Sequence, residues 1–203
     1  MIEFWYEFAS TYSYPAAMRI QRVAEEAGVA VAWRPFLLGP LFHAQQGLTD
    51  SPFNVFPVKG QYMWRDVERI CEDEGLPLTH PSQFPRNGLL AARVAIAGLE
   101  DGWTAGFSKK VYEANFVADL DISKAEVLEP LIAEAGGAPL AALEAANSAE
   151  VKAALKDNVE QAKARGVFGS PSFITADGEL FWGNDRLEQA LDWAQRHTTR
   201  EHA

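Results

Sequence analysis

The sequence predicts a mixed α/β fold in which two short strand-containing units flank a long helical block. Residues 2–38 have the pattern strand, helix, strand: an aromatic run opens the chain, and Gly28 separates an amphipathic stretch from an alternating one. Residues 167–197 have the pattern of a hairpin and a helix, because an Asp-Gly turn divides two short apolar runs. The stretch over 61–165 is rich in alanine and lacks a strand pattern. The predicted order is therefore βαβ, helical block, ββα.

The first unit is predicted from its aromatic start. A strand over 2–8 carries Phe, Trp and Tyr residues, which favour a buried sheet position. A helix over 16–27 follows hydroxyl residues and Pro15, a combination typical of a helix start. A second strand over 29–38 makes this unit a parallel crossover. The segment 39–59 holds several prolines and two glycines, so no single regular element spans it, and a loop this long in a compact domain is usually functional.

The helical block and the last unit are predicted from caps, breakers and turn residues. Helices are expected over 61–74, 87–99, 103–115, 123–135, 138–146 and 149–165. Ser123 and Ser148 stand where side-chain caps are favoured. The last unit comprises strands over 167–174 and 180–182, a helix over 186–197 and a frayed tail over 198–203. Asn184 or Asp185 is a natural cap for that helix.

Composition limits the class of protein and its partners. The 203 residues are 48% hydrophobic and 23% charged, which is enough apolar material for a buried core. The net charge of −10 argues against nucleic acid or an anionic membrane as the main partner. The N-terminus has no basic segment, and no run approaches the ~20 apolar residues of a membrane span. We therefore expect a cytoplasmic protein without a membrane partner.

Cysteine and histidine usage argues against two kinds of site. Cys71 is the only cysteine, so the chain has neither an internal disulfide nor a Cys-x-x-Cys redox pair. It falls inside a predicted helix, where a buried apolar role is expected rather than a nucleophilic one. The histidines are scattered at positions 43, 80, 197 and 202 and form no metal-ligand pattern, so no metal is expected.

Two short stretches make the prediction specific. They are Phe8-Ala9-Ser10-Thr11-Tyr12-Ser13-Tyr14, at the end of the first strand, and Gly166-Val167-Phe168-Gly169-Ser170-Pro171-Ser172-Phe173. Further matching stretches are Pro52-Phe53-Asn54, Lys59-Gly60-Gln61-Tyr62-Met63-Trp64-Arg65-Asp66 and Phe181-Trp182-Gly183-Asn184-Asp185-Arg186. Together they resemble the DsbA-like thioredoxin superfamily, in its branch of kappa-class glutathione transferases and bacterial 2-hydroxychromene-2-carboxylate isomerases. Two residues depart from that pattern: Thr11, where proline is frequent, and Ser170, where Val, Leu or Thr is more usual.

The resemblance implies a thioredoxin fold with a large all-helical insertion. It assigns residues 1–60 and 166–203 to a thioredoxin-like domain and residues 61–165 to an inserted helical domain. In this superfamily the helix after the first strand begins with Cys-x-x-Cys, and the matching slot here reads Ser10-Thr11-Tyr12-Ser13. A cis-proline faces that slot in the family, and Pro171 fits its position.

The resemblance also implies a glutathione site around Ser10. A hydroxyl donor at a helix N-terminus stabilises a thiolate, and serine, unlike cysteine, forms no mixed disulfide with the bound thiol. From spacing alone, an N-cap is the simpler role for Ser10. The backbone of Ser170, placed by Pro171, is implied to pair with the cysteinyl part of glutathione like an added strand. Ser13, one turn further on, is a secondary candidate, for contact with the substrate.

The remaining implied contacts are made by charged and amide side chains. Asn184 and Asp185 are implied to hold the γ-glutamyl ammonium, although helix capping explains them too. Lys59 is implied to bind the glycine carboxylate of glutathione, whereas a lone loop lysine is ordinarily just solvated. Lys59 and Asn54 are further implied to help hold a substrate carboxylate. Aromatic residues near the long loop belong either to the core or to the wall of an aromatic-substrate pocket.

The family branch implies a glutathione-dependent isomerase. Its reaction converts 2-hydroxychromene-2-carboxylate to trans-o-hydroxybenzylidenepyruvate in the breakdown of naphthalene-like aromatics, with glutathione regenerated. Ser10 is the implied catalytic residue, and a homodimer is implied. The alternatives are a kappa-class-like glutathione transferase or peroxidase and a non-catalytic glutathione-binding protein. A dithiol oxidoreductase is disfavoured because Ser10 and Ser13 stand where it needs cysteines.

Overall fold

Four strands form one mixed sheet at the centre of the protein. They are β1 (Ile2–Tyr6), β2 (Val31–Pro35), β3 (Ser172–Thr175) and β4 (Leu180–Trp182), in the spatial order β2-β1-β3-β4. β1 pairs in parallel with β2 and antiparallel with β3, and β3 pairs antiparallel with β4. The predicted βαβ and ββα units are thus confirmed as two halves of one sheet, joined along the β1–β3 ladder.

Helices connect β1 to β2, fill the long interval between β2 and β3, and follow β4. They are α1 (Ser13–Glu26), α2 (Leu38–Gln46), α3 (Pro52–Val55), α4 (Pro57–Asp73), α5 (Leu89–Ala97), α6 (Thr104–Phe116), α7 (Ala125–Glu134), α8 (Pro139–Ala146), α9 (Ala149–Ala164) and α10 (Leu187–Thr198). The computed structural model describes residues 1–198, so the predicted tail beyond Thr198 lies outside the described residues. Within that range, no helix is both long and apolar enough to cross a membrane.

Several element boundaries differ from the prediction. The α1 helix begins at Ser13, three positions before the predicted start at 16. The segment 39–59 is not one regular element, as predicted, but it contains most of α2, all of α3 and the start of α4. The prolines do not prevent these helices, because Pro52 and Pro57 occupy their first turns, where a missing N–H costs nothing. The predicted strand over 167–174 is wrong at its start, since β3 begins only at Ser172.

The capping predictions have mixed outcomes. Ser148 caps α9, and its Oγ accepts a hydrogen bond from the Val151 N–H at 3.1 Å. Ser123 does not cap α7: its hydroxyl donates to Asp121 Oδ1 at 2.7 Å. The 3₁₀ turn over 184–186 starts after Gly183 without a side-chain cap, so Asn184 and Asp185 are not caps either. Their side chains remain available for other partners.

The alternation of β1 places aromatic side chains on both faces of the sheet. On one face Phe4 and Tyr6 stack at a 5.0 Å ring separation, within a core that continues into the helical block. On the other face Trp5 packs in a second cluster with residues of α2 and α9. All three aromatic side chains of the strand are fully buried. Since each such burial contributes about 1.5–3 kcal/mol, these side chains hold β1 firmly in the core.

Candidate active site

A cavity of about 1110 Å³ opens beside the loop that follows β1. Its wall is built by that loop, by the segment from β2 through α3, by α4, by the loop before α5, by the loop before β3 and by the residues after β4. The two halves of the sheet and the helical block therefore all contribute to one pocket. Its volume slightly exceeds the range typical of small-molecule sites.

Ser10 lines this cavity just before the N-terminus of α1. Its hydroxyl donates a hydrogen bond to the Ser170 carbonyl oxygen at 2.8 Å. Its Oγ accepts from the Ser13 N–H at 3.3 Å and from the Ser13 hydroxyl at 3.0 Å. The positive end of the helix thus points at this oxygen, which favours any anion that Ser10 contacts.

Ser13 lies behind Ser10 rather than on the cavity wall. It is fully buried, and its Oγ is 2.6 Å from the Oγ of Ser170. The sequence suggests Ser13 as a substrate contact, whereas in the structure its hydroxyl contacts the hydroxyls of Ser10 and Ser170 and the side chain of Tyr112. Its place supports a role in fixing the orientation of Ser10.

The Ser170–Pro171 peptide bond is cis, as predicted. The carbonyl oxygen of Ser170 faces Ser10, and its Oγ accepts a hydrogen bond from the Glu7 N–H at 3.1 Å. The carbonyl of Pro171 accepts from the Gly183 N–H at 3.0 Å, which ties this loop to the residues after β4. A second cis bond, Phe84–Pro85, lies in the loop before α5 and was not predicted.

Asn184 and Asp185 both line the cavity but differ in what they can bind. Asn184 is buried, and Arg19 donates to its Oδ1 at 3.3 and 3.4 Å and to its backbone oxygen at 2.6 Å. The amide oxygen is therefore engaged, which leaves the NH₂ group as a donor suited to a carboxylate. Asp185 is largely exposed, with its Oδ2 3.3 Å from Arg186, and its carboxylate suits an ammonium group.

Lys59 and Asn54 are placed differently from each other. Lys59 lines the cavity from α4, and its exposed ammonium lies 5.1 Å from the ring centroid of Phe56. Asn54 is not among the residues that form the wall. Its amide donates to Asp50 at 3.2 and 3.3 Å and to the Phe84 carbonyl at 3.2 Å, so it braces the loop instead.

An aromatic pair stands at the rim of the cavity. Phe168 and Trp182 have ring centroids 4.8 Å apart, and 42% and 52% of their surfaces are exposed. Both line the pocket, together with Phe42 and Phe53 from the long segment and Tyr62 from α4. Exposed aromatic surface of this kind is typical of a binding site for flat apolar groups. Two further aromatic residues near this segment do not line the cavity: Phe36 is buried in the core, and Phe56 is exposed.

Two residues of the site were missed from sequence. Arg19 is buried and holds Asn184 in place, yet within an amphipathic helix it has the appearance of a surface residue. Glu7 lines the cavity next to Ser10, and its Oε2 accepts a hydrogen bond from the Ala9 N–H at 3.2 Å. Burial raises the pKa of Glu7 from 4.5 to about 7. In the sequence, the one sign of a role for Glu7 is that an acidic residue stands within an aromatic run.

The one cysteine of the chain does not take part in this site. Cys71 is a buried free cysteine of α4, as predicted. Burial raises the pKa of its thiol to about 11, so it is neither ionised nor accessible at neutral pH. Among residues 1–198, no group of three or more His, Cys, Asp or Glu side chains is arranged to hold a metal ion.

Comparison with known proteins extends over nearly the whole chain. A 2-hydroxychromene-2-carboxylate isomerase from Sphingobium xenophagum is 27% identical over 187 residues, covering 92% of this chain and 94% of its relative. Glutathione S-transferase kappa 2 from Caenorhabditis elegans is 25% identical over 212 residues, covering 95% and 91%.

The solved structures agree on the fold. A 2-hydroxychromene-2-carboxylate isomerase superposes with a TM-score of 0.86 at 22% identity, over 99% of this chain and 97% of the other. The cytosolic disulfide reductase DsbM from Pseudomonas aeruginosa with GSH gives 0.66 at 19% identity, over 100% and 99%. These matches confirm the predicted thioredoxin fold. The family model described as a DSBA-like thioredoxin domain matches residues 1–193, and the chain therefore belongs to this family.

Proposed function

We propose that this protein is a glutathione-dependent isomerase that converts 2-hydroxychromene-2-carboxylate to trans-o-hydroxybenzylidenepyruvate. The observation that carries the proposal is the position of Ser10: a hydroxyl at the positive end of α1, on the wall of a large cavity, opposite the cis-Pro171 loop. The relatives named as this isomerase cover more than 90% of the chain, which supports the choice of reaction.

The polar groups of the cavity fit glutathione. Asn184 offers amide donors and Lys59 an ammonium, which suit the two carboxylates of the tripeptide. Asp185 offers an acceptor for its ammonium group. The backbone of Ser170 lies where an extended peptide can pair with it. When bound, glutathione supplies a sulfur nucleophile that adds to the conjugated ring system of the substrate and is expelled after a bond has rotated.

Ser10 has a single hydroxyl proton, so it can donate a hydrogen bond to only one acceptor at a time. In the free protein that proton is donated to the Ser170 carbonyl at 2.8 Å. When the hydroxyl turns to a sulfur anion instead, the Ser170 carbonyl becomes free to accept an amide N–H of the tripeptide. Ser13 continues to donate to Ser10 Oγ in either orientation. Binding the peptide backbone and stabilising the sulfur are therefore coupled through one carbonyl.

The rim aromatics support an aromatic substrate. Phe168 and Trp182 present exposed ring surface to the cavity mouth, where a flat bicyclic carboxylate can stack. Lys59 is the exposed cation of the wall and suits the substrate carboxylate as well as the tripeptide. We further propose that the protein acts as a homodimer in the cytoplasm, where reduced glutathione is available.

A kappa-class-like transferase or peroxidase is the second candidate. The match to glutathione S-transferase kappa 2 favours it, because the same thiolate site serves transfer to an electrophile. A spectrophotometric comparison of a chromene carboxylate, chlorodinitrobenzene and an organic hydroperoxide separates the reactions. We expect kcat/KM to be greatest for the chromene; a greater value for either other substrate would assign the second function.

The Ser10→Ala variant tests the site itself. Its loss of a donor at the reacting sulfur is expected to reduce kcat by about 10²-fold or more, with the fold unchanged. Ser123→Ala, which alters a serine that is bonded to Asp121 and does not line the cavity, serves as the control. Titration calorimetry with glutathione should give binding heat for both. Unchanged turnover in Ser10→Ala, or no heat with the unmodified protein, would contradict the proposal.

A further inference from the structure

Glu7 is a carboxylic acid on the cavity wall to which the proposed function gives no role. It follows β1 directly, and Ser10 closes a turn back onto it, with the Ser10 N–H donating to the Glu7 carbonyl at 3.0 Å. Both side chains line the same cavity. Among residues 1–198, the carboxylate accepts a hydrogen bond from the Ala9 N–H and forms no ion pair with a Lys, Arg or His side chain. A carboxylate left without a counter-ion in a partly buried site is costly, and such groups cluster where function requires them.

The groups packed around Glu7 are neutral. Tyr112 of α6 donates its hydroxyl to the Glu7 backbone oxygen at 3.0 Å. Gly88, just before α5, comes so close that a Cβ there would lie 3.6 Å from Glu7 Oε1. The Ser170 hydroxyl faces Glu7 from the cis-proline loop. Tyr112 is the titratable group of this set, and burial raises its pKa well above the ordinary value, so it carries no charge at neutral pH.

This environment gives Glu7 the properties of an acid–base group. Because its pKa is raised to about 7 by burial, its carboxyl exchanges protons readily at neutral pH. A serine hydroxyl can stabilise a sulfur anion but cannot take up the proton that the sulfur loses. The thiol of glutathione has an ordinary pKa of about 8.5, so that proton needs an acceptor near neutral pH. Glu7 lines the same cavity as Ser10, and its raised pKa makes it such an acceptor.

We propose that Glu7 is the proton acceptor for the glutathione thiol, an inference that rests on the proposed function. The S–H bond breaks and its electron pair stays on sulfur, where Ser10 donates a hydrogen bond. The proton forms an O–H bond on the Glu7 carboxylate. When the sulfur is released from the product, the same O–H bond returns its proton, so a complete cycle consumes none.

The test measures how many protons enter the buffer for each bound thiolate that forms. Thiolate is followed by its ultraviolet absorbance, and proton release by calorimetry in buffers of different ionisation enthalpy, at about pH 8, where Glu7 starts ionised. The wild-type protein, Glu7→Gln, Glu7→Asp and the surface control Glu134→Gln are compared. Glutamine keeps the length of the side chain and an oxygen acceptor for the Ala9 N–H, so the fold is retained; circular dichroism verifies this.

We expect the ratio of protons released to thiolate formed to be well below one in the wild type, in Glu7→Asp and in Glu134→Gln. In Glu7→Gln it should rise to about one, because the buffer has to take the proton. Turnover of Glu7→Gln should fall by about 10²-fold or more while its Kd for glutathione changes less than about threefold. If the ratio of protons released to thiolate formed is the same in the wild type and in Glu7→Gln, and the variant still binds glutathione and turns over, the role of Glu7 is overturned. The proposed function is not affected by that outcome. Failure of the wild type to bind glutathione would overturn the proposed function together with this inference.

Discussion

The Ser13 hydroxyl donates a hydrogen bond to Oγ of Ser10 across 3.0 Å, from one turn further along the chain. Ser10 uses its own proton toward the Ser170 carbonyl, so its oxygen is the acceptor. The single hydroxyl proton of Ser13 is used in the hydrogen bond to Ser10. In the 2.6 Å contact between Ser13 and Ser170, the Ser170 hydroxyl is therefore the donor. The three serines thus form a closed ring with one direction of donation.

This ring predicts that Ser13 positions Ser10 without touching the ligand. We expect Ser13→Ala to reduce kcat by about fivefold with little change in KM, because one hydrogen bond is worth about 1 kcal/mol. The Ser170 hydroxyl loses its acceptor, so the free energy of unfolding should fall by about 1–3 kcal/mol. Initial-rate kinetics and urea denaturation measure both effects.

A matched control is Ser108→Ala. Ser108 is also buried, and its Oγ lies 2.7 Å from the Tyr6 hydroxyl, away from the cavity. It should lose comparable stability and keep its turnover. Equal losses of turnover in the two variants would show that Ser13 acts through stability alone.

A cysteine at position 10 is predicted to change the chemistry of the site. In Ser10→Cys the new thiol lies at the N-terminus of α1, where a thiolate is stabilised, so it should form a mixed disulfide with oxidised glutathione. The unmodified protein should form none, because Cys71 is buried and its pKa is raised to about 11. Intact-protein mass spectrometry detects the adduct. An adduct on the unmodified protein, or none on the variant, would contradict this prediction.

Gly183 is predicted to be required for the position of Asp185. Its φ of +115° lies in a region that favours glycine, and a Cβ there would lie 2.6 Å from Asp185 Oδ1. Gly183→Ala should therefore cost about 1–3 kcal/mol of stability and also weaken glutathione binding. Gly178→Ala is the control: its φ is +88°, with no atom within 4 Å of the added Cβ. Gly178→Ala should lose stability but keep its affinity for glutathione. Calorimetric Kd values of the two variants test this difference.

Glu7 is predicted to make stability depend on pH. Because its pKa is raised in the folded state, its contribution to the free energy of unfolding is fully present below about pH 4.5 and is lost as the pH rises through about 7. Glu7→Gln removes this dependence. We expect the variant to be more stable than the wild type by about 1–3 kcal/mol at pH 8, because the Glu7 side chain is only partly buried, and no more stable at pH 4. Urea titrations at the two pH values test this; a constant difference would contradict it.

The order of the elements could be predicted because local patterns determine it. The β3–β4 hairpin follows from its turn residues, and β1 from its aromatic run. The sequence does not predict α2, because Pro40 suggests a helix break, whereas in the structure it lies in the first turn, where proline is tolerated. The start of β3 was placed too early because apolar residues before Pro171 resemble a strand, while their backbone has no sheet partner.

The candidate site could be predicted only where it lies on short motifs. Ser10, Ser170 and Asp185 stand beside recognisable stretches, and the structure places all three on one cavity. Glu7 and Arg19 could not be found in this way. Their importance comes from burial by segments distant in sequence: Arg19 contacts Asn184, 165 positions away, and Glu7 contacts Ser170, 163 positions away.

The charges on the cavity wall have a consequence for how fast a ligand arrives. The wall carries the carboxyl groups of Glu7, Asp50, Asp66 and Asp185, while its cations are the exposed Lys59 and the buried Arg86, and the whole chain has a net charge of −10. An anionic tripeptide is therefore repelled at long range and attracted only at contact. Since added salt shortens the Debye length to about 8 Å at physiological ionic strength, the association rate constant should increase with ionic strength, the reverse of electrostatic steering.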